Sequence, residues 1–167
     1  MGFGRLLLRT VIGGLFIGHG TQKLFGWFGG KGLDATSQGF EAIGLAPGRR
    51  NALLGGLAES GGGTLLALGL AAPGAEAILI STMLTAIRTV HWKKGPWASN
   101  GGYEYNAVLI AALLGLANAG PGRWSLDHAR GKERSGLPWM AVALAAGVAG
   151  SVVATTAAQP ARGGAEG

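Results

Sequence analysis

The stretch LPWMAVALAAGVAGSVVATTAA, residues 137–158, decides the fold class of this chain. It carries no charged residue, and it is long enough to cross a membrane, which takes about 20 mostly apolar residues in an α-helix. Pro138 stands near its start, where proline suits the first turn of a helix. The sequence therefore predicts a membrane-spanning helix over residues 137–158.

The composition of the whole chain also indicates an integral membrane protein. Of 167 residues, 48% are hydrophobic and 13% are charged, whereas about 25% of the residues in soluble domains are charged. The 33 glycines would weaken helices in water but allow close helix packing in lipid. The net charge of +6 comes from basic residues scattered between apolar runs, which is typical of membrane edges and argues against nucleic-acid binding.

Four further apolar stretches predict four more membrane-spanning helices. They cover residues 6–25, 51–70, 75–92 and 103–119, and turns that contain glycine and proline follow the last three of them. Residues 29–50 are charged and rich in glycine, which predicts an exposed loop with a short interfacial helix at 36–43. Small residues at four-residue spacing, Gly14 with Gly18 and Ala146 with Gly150, indicate packing seams in the first and last spans.

The predicted fold class is therefore an all-α membrane protein, a four-helix transmembrane bundle with a fifth, C-terminal transmembrane helix. Residues 1–127 form the four-helix domain, 128–136 a basic loop and 137–158 the additional helix. The last segment, residues 159–167, is small and polar and is expected to be disordered.

Ionisable residues of the four-helix domain fall in one half of the bundle if consecutive spans alternate in direction. His19 and Lys23 are four residues apart, and Arg88 and His91 are three apart, so each pair is expected to share a helix face. The other half is expected to be almost entirely apolar, apart from Arg9. The candidate site residues in the polar half are His19, Lys23, Glu59, Arg88, His91, Glu104 and Asn106.

Three interpretations of these residues stay open, since charged groups inside a membrane are costly unless they are paired or hydrated. They can form an ion-pair network that fixes the helix register. They can line a polar pocket that binds a small ligand or a quinone headgroup, or that passes protons through His19. They can hold a metal through His19, His91, Glu59 and Glu104, but no Glu-x-x-His spacing supports this, and no metal is expected.

Motifs of independent catalysis are missing from the sequence. The chain contains no cysteine, which excludes a disulfide or a thiolate site of its own. The glycine run before Lys31 is one residue short of a phosphate loop, and no Gly-x-Ser-x-Gly elbow is present. No intrinsic cofactor is therefore expected, and catalysis stays open only as part of a larger oxidoreductase complex.

Several segments together resemble the DoxX family of bacterial membrane proteins. They are LLLR at residues 6–9, GHGTQKLFG at 18–26, NGGYEYN at 100–106 and GPGRWSLD at 120–127. The resemblance implies a DoxX-like four-helix domain in the bacterial cytoplasmic membrane, from which the fifth span departs. The family positions that match in this chain are His19, Lys23, Glu59, His91, Glu104 and Asn106.

The resemblance implies an accessory subunit of a membrane-associated oxidoreductase or of an oxidative-stress system, because the family is named after a subunit of a thiosulfate:quinone oxidoreductase. A small transporter or proton-coupled carrier using His19 and Glu59, and a scaffold that contacts soluble partners through residues 123–134, are the alternatives. Expected partners are the lipid bilayer and soluble redox enzymes. A homo-oligomer stays open as a further possibility. The membrane orientation also stays open, because lysine and arginine are spread almost evenly over both sides.

Overall fold

A computed structural model describes residues 2–158, and these residues form an all-helical protein. The all-α prediction is confirmed, and no strand occurs in this part of the chain. The predicted disordered tail, residues 159–167, lies outside the described residues. The helices are α1 Phe3–Phe25, α2 Gly32–Ala42, α3 Gly48–Leu68, α4 Gly74–Ala86, α5 Glu104–Ala119, α6 Leu126–Ala129 and α7 Leu137–Thr156.

The five long helices coincide with the five apolar stretches of the sequence, and each begins within one turn of its predicted start. Helix α2, at the place of the predicted interfacial helix, begins earlier than predicted, at Gly32 instead of residue 36. Within residues 2–158, α7 is the one helix that is both long and apolar enough to cross a membrane, and α5 is a shorter apolar helix. Glycine and charged residues lower the mean hydropathy of α1 and α3.

Helices α1 and α3 are joined by a glycine seam. The α-carbon of Gly13 faces the carbonyl group of Gly63, and that of Gly20 faces the carbonyl group of Gly56. This order shows that the two helices run antiparallel. A methyl group on Gly13 or Gly20 would collide with the backbone of α3, so the absence of side chains permits the close approach.

The predicted seam at Gly14 and Gly18 is wrong. A Cβ atom at either position would have no neighbour within 4 Å, because both α-carbons face away from α3. The true seam uses Gly13 and Gly20, one residue before Gly14 and two residues after Gly18. A helix with several glycines offers more than one small-residue stripe, and spacing alone does not identify the one that is buried.

Helix α7 packs along α4 through a second stripe of small residues. Ala143, Gly147 and Ser151 are buried there at four-residue spacing, and a Cβ on Gly147 would collide with Ile80 of α4. The predicted seam partner Ala146 is exposed. Gly150, the other predicted seam residue, does face α4, since a Cβ there would lie 2.7 Å from the Ser81 Oγ atom. The predicted seam is therefore correct at Gly150 and wrong at Ala146.

The glycine seam leads to a testable prediction on stability. Gly20→Ala should lower the free energy of unfolding by about 1–3 kcal/mol, the usual cost of overpacking, because the added methyl group meets the backbone of Gly56 and Ser60. Gly18→Ala, on the open side of the same helix, is the matched control and should cost nothing. Thermal unfolding of both variants in detergent measures the difference, and equal melting temperatures would contradict the seam.

The half of the bundle that was expected to be almost entirely apolar contains a buried charged cluster, which corrects that prediction. Arg9, Glu76 and Asp127 are 1%, 2% and 4% exposed. Arg9 comes from α1, Glu76 from the first turn of α4 and Asp127 from α6. Arg9 alone was recognised in the sequence, because Glu76 stands at the edge of an otherwise apolar span.

This cluster ties three chain segments together. The Arg9 Nη2 atom donates a hydrogen bond of 2.6 Å to the carbonyl oxygen of Trp124. The Asp127 carboxylate accepts hydrogen bonds from the backbone N–H groups of Ala71 and Ala72, at 3.1 and 2.9 Å. Glu76 lies close enough to both Arg9 and Asp127 to interact with their charges. The cluster therefore fixes α1, the α3–α4 turn and α6 to one another.

Candidate functional site

A cavity of about 350 Å³ lies at the other end of the bundle, between α1, α3, α4, α5 and the loop that precedes α5. Apolar side chains form most of its wall, among them Phe16 and Leu109. Five of the seven candidate residues line it: His19, Lys23, Glu59, His91 and Asn106. The structure thus brings together, in one cavity, side chains from four helical segments.

An ion pair forms one wall of the cavity. The Lys23 Nζ atom of α1 lies 2.5 Å from the Glu59 Oε2 atom of α3, across the antiparallel contact that the glycine seam creates. The Lys23 side chain is 26% exposed and that of Glu59 is 9% exposed. The pair satisfies one oxygen of a buried carboxylate, as a charged group in a low-dielectric interior requires.

His91 reaches the cavity because α4 changes its helical geometry. After Ala86 the helix continues as a π-helical turn, Ile87–His91, and a short 3₁₀ turn, Trp92–Lys94. Single π-helical turns occur frequently at functional sites. The half-buried His91 ring places its Nδ1 atom 2.6 Å from the carbonyl oxygen of Gly101. Since a carbonyl only accepts, Nδ1 carries the proton and donates it.

The π-helical turn also separates His91 from Arg88. Arg88 is exposed and does not line the cavity. The two residues were expected to share a face, but that expectation assumed α-helical spacing, and a π-helical turn holds more residues per turn. Glu104 is half-buried at the first position of α5 and also lies outside the cavity lining. A carboxylate there complements the positive end of the helix dipole.

Asn106 forms the deepest polar group of the cavity wall and is 6% exposed. Its Nδ2 atom donates to the sulfur of Met83 at 3.4 Å. A thioether has no proton to donate, so the amide must present its nitrogen to Met83 and leave Oδ1 free. Nothing in the sequence pattern indicated Met83 or Gly101 as the partners of Asn106 and His91.

A second, more open cavity of about 270 Å³ adjoins the first on the side of α2. Its wall contains Lys31 and Thr36 and the two residues that it shares with the larger cavity, His19 and Lys23. His19 is exposed, and its Nδ1 atom lies 3.2 Å from the Gln22 Oε1 atom. The Lys23 side chain therefore stands where the two cavities meet.

The metal interpretation receives no geometric support from the described residues. No three His, Cys, Asp or Glu side chains in residues 2–158 come together in an arrangement that could hold a metal ion. His19, His91, Glu59 and Glu104 accordingly do not converge on one point. The arrangement instead offers a mostly apolar cavity with a few oriented polar groups, which is the usual form of a site for a small organic ligand.

Comparisons with known proteins agree with the resemblance in the sequence. The DoxX family matches residues 4–92 of the chain. A protein of Bacillus subtilis (strain 168) named "Putative oxidoreductase CatD" is 32% identical over 116 residues, which cover 70% of this chain and 80% of that relative. No solved structure matches the chain.

Proposed function

Since this chain belongs to the DoxX family, we propose that it is a multi-pass protein of the bacterial cytoplasmic membrane and an accessory subunit of a membrane-associated oxidoreductase. Helices α1, α3, α4 and α5 form the transmembrane bundle, and α7 adds a fifth span. The observation that carries the proposal is a cavity with an ion pair in its wall, enclosed by helices whose outer faces are apolar.

The outer surface of the bundle supports the membrane placement. Large aliphatic side chains are exposed on each of the proposed spans, far more than the scattered apolar residues of a soluble surface. Such apolar faces are stable when the hydrocarbon of a membrane surrounds them. On α1 they are Leu7, Leu8, Val11 and Leu15; on α3 Leu53, Leu54, Leu57 and Leu68; on α4 Ile78; on α5 Val108; and on α7 Val142, Leu144, Val148, Val152 and Val153.

Exposed aromatic residues mark both ends of the same apolar surface. Trp27, Phe28, Trp92 and Trp97 are exposed at the cavity end, and Trp124 is exposed at the opposite end. Tryptophan is enriched at the two membrane–water interfaces, where its ring contacts the headgroups. These positions are consistent with α1, α3, α4 and α5 each crossing the bilayer between two aromatic belts.

The redox role is supported by the relative named as an oxidoreductase and by the chemistry of the cavity. The wall contains apolar side chains as well as the polar side chains of Lys23, Glu59, His91 and Asn106. Such a wall can contact both the apolar ring and the polar oxygen atoms of a quinone-like molecule. With no cysteine in the chain, electrons must be carried by a bound molecule or by a partner. We therefore propose that the cavity binds a quinone-like ligand, with which a soluble redox enzyme reacts.

Ligand retention tests this assignment. Protein purified in mild detergent should carry a lipid-soluble chromophore, and Glu59→Gln should lower its occupancy by about tenfold, because the variant loses the charge that orients Lys23. Asp34→Asn is the matched control, since Asp34 also pairs with a basic residue but lies on the surface. Absorption spectra of lipid extracts measure the occupancy. Protein that contains no ligand and binds no added quinone would contradict the assignment.

The accessory role is tested separately by co-purification. Capture of the full-length chain from membranes in mild detergent, followed by mass spectrometry, should recover a soluble or peripheral redox enzyme. Protein that is recovered alone at every detergent concentration would contradict the accessory role.

A further inference from the structure

We propose that the cavity is entered sideways from the lipid phase, through an opening between α1 and α5, by an amphiphile whose headgroup carries a hydroxyl group. The inference rests on the membrane placement in the proposed function and specifies the ligand class of the same cavity. It depends on two observations, the exposure of two lining residues and the identity of the free hydrogen-bonding atoms.

The opening lies between two helices that scarcely touch. Helix α1 packs along α3 and α2, whereas α5 packs along α4 and α7. Helices α1 and α5 therefore form opposite walls of the cavity. Leu15 of α1 and Tyr105 of α5 both line the cavity, and they are 47% and 46% exposed. A residue that lines a cavity and is also half exposed stands at its mouth, so the mouth lies between these two side chains.

The surroundings of this mouth are apolar. Val11 lies one turn before Leu15 on α1, and Val108 lies one turn after Tyr105 on α5, and both valines are exposed. Leu15 is about 15 Å along α1 from the end of that helix, at 1.5 Å per residue. With α1 crossing the bilayer, that depth lies within the hydrocarbon core, whereas Tyr105 is the second residue of α5 and lies near the end of its span. The mouth therefore reaches from the edge of the membrane into the hydrocarbon core, and a molecule dissolved in lipid meets it on the side of Leu15.

The polar atoms inside the cavity select the headgroup. Three polar side chains each donate one hydrogen bond within the protein: His91 Nδ1 to Gly101, Asn106 Nδ2 to Met83 and Lys23 Nζ to Glu59. Three atoms of the cavity wall, His91 Nε2, Asn106 Oδ1 and Glu59 Oε1, have no hydrogen-bond partner among the described residues.

Asn106 Oδ1 and the Glu59 carboxylate oxygen accept hydrogen bonds, and His91 Nε2 also accepts when Nδ1 carries the only ring proton. None of them is among the fully enclosed polar atoms that lack a partner, which in residues 2–158 belong to Arg9 and Glu76. They are therefore accessible from the cavity. A hydroxyl group, such as that of a reduced, quinol-type headgroup, offers the proton that such acceptors need, whereas an ether or a carbonyl group can pair only with the remaining N–H groups of Lys23 and Asn106 and leaves these acceptors without a partner.

The second cavity supplies the competing route. It joins the first at His19 and Lys23 and opens beside Thr36 and Lys31, both of which lie outside the apolar belt of the bundle. A water-soluble ligand would enter there and pass the Lys23–Glu59 pair. The two routes predict different effects of blocking Leu15 and Thr36.

The headgroup is tested with hexylphenol and its methyl ether, hexylanisole, on the wild-type chain in lipid nanodiscs. We expect hexylphenol to bind about tenfold more tightly, the effect of one or two buried hydrogen bonds. His91→Phe should reduce this preference, because phenylalanine keeps the ring and removes the acceptor. Equal affinity of the phenol and the ether for the wild type would overturn the hydroxyl selection. Lack of any binding would count against the ligand site itself and thus against the proposed function.

The route is tested by blocking each mouth in turn. Because the chain has no cysteine, Leu15→Cys and Thr36→Cys each provide a single site for a bulky maleimide, and Leu53→Cys, on the exposed face of α3 away from both cavities, is the control. Modification at Leu15 should slow hexylphenol association by about tenfold or more, and modification at the other two positions should leave it unchanged. Slowing at Thr36 without slowing at Leu15 would overturn lateral entry while leaving the ligand site in place.

Discussion

Arg9→Met is expected to lower the free energy of unfolding by about 3–5 kcal/mol, the usual cost of removing one member of a buried charged group. The substitution keeps a long apolar side chain in α1 but removes the hydrogen bond to Trp124. It also leaves the carboxyl groups of Glu76 and Asp127 buried without the positive charge that Arg9 places near them. Titration with a denaturing detergent in mixed micelles measures the free energy of unfolding.

Arg49→Met is the matched control for this prediction. Arg49 also pairs with a carboxylate, Asp34, at 2.9 Å, but the two side chains are 73% and 86% exposed. An exposed pair contributes about 0–1 kcal/mol, so the control should remain close to the wild type. Arg9→Met with wild-type stability would show that the charged cluster does not hold α1, the α3–α4 turn and α6 together.

Lys23→Met is expected to destabilise the chain by about 3 kcal/mol, the lower end of the range for breaking a buried ion pair. The lower end applies because part of the Lys23 side chain is exposed, whereas Glu59 is left buried with its charge unpaired. The same substitution should abolish ligand retention, since Lys23 stands at the junction of the two cavities.

A double substitution distinguishes the contribution of the ion pair to stability from the contribution of side-chain packing. In Lys23→Met/Glu59→Gln the carboxylate charge is removed together with its partner, so the double variant should recover to within about 1–2 kcal/mol of the wild type. Recovery of stability without recovery of ligand binding would assign the pair to both roles. A double variant that is as unstable as Lys23→Met would contradict the ion-pair account, because it would show that the loss comes from packing alone.

The long helices could be predicted from the sequence because each is a mostly apolar stretch, and turns that contain glycine and proline follow three of them. Antiparallel alternation of these stretches predicts that seven polar residues lie in one half of the bundle. That inference needed only the direction of each span and the position of each residue along it. Five of them line one cavity, whereas Arg88 and Glu104 do not.

The features that the sequence did not indicate depend on local geometry or on contacts between distant segments. The π-helical turn at Ile87–His91 has no motif, and it directs Arg88 away from the cavity. The buried cluster at Arg9 requires Glu76 and Asp127, which lie in different loops or helix ends and meet only in three dimensions. The glycine seam was misplaced because α1 carries several glycines and only the contact with α3 distinguishes them.

In the proposed function, four helices cross the membrane and carry the cavity at one end of the bundle. The direct test is the labelling of single cysteines in intact cells and in opened membranes with a maleimide that does not cross the bilayer. Lys31→Cys and Lys94→Cys lie in loops at the cavity end, and Gly74→Cys and Lys132→Cys are exposed at the other end. We expect the first two to react from one side and the last two only from the opposite side. Reaction of all four from the same side would contradict the account.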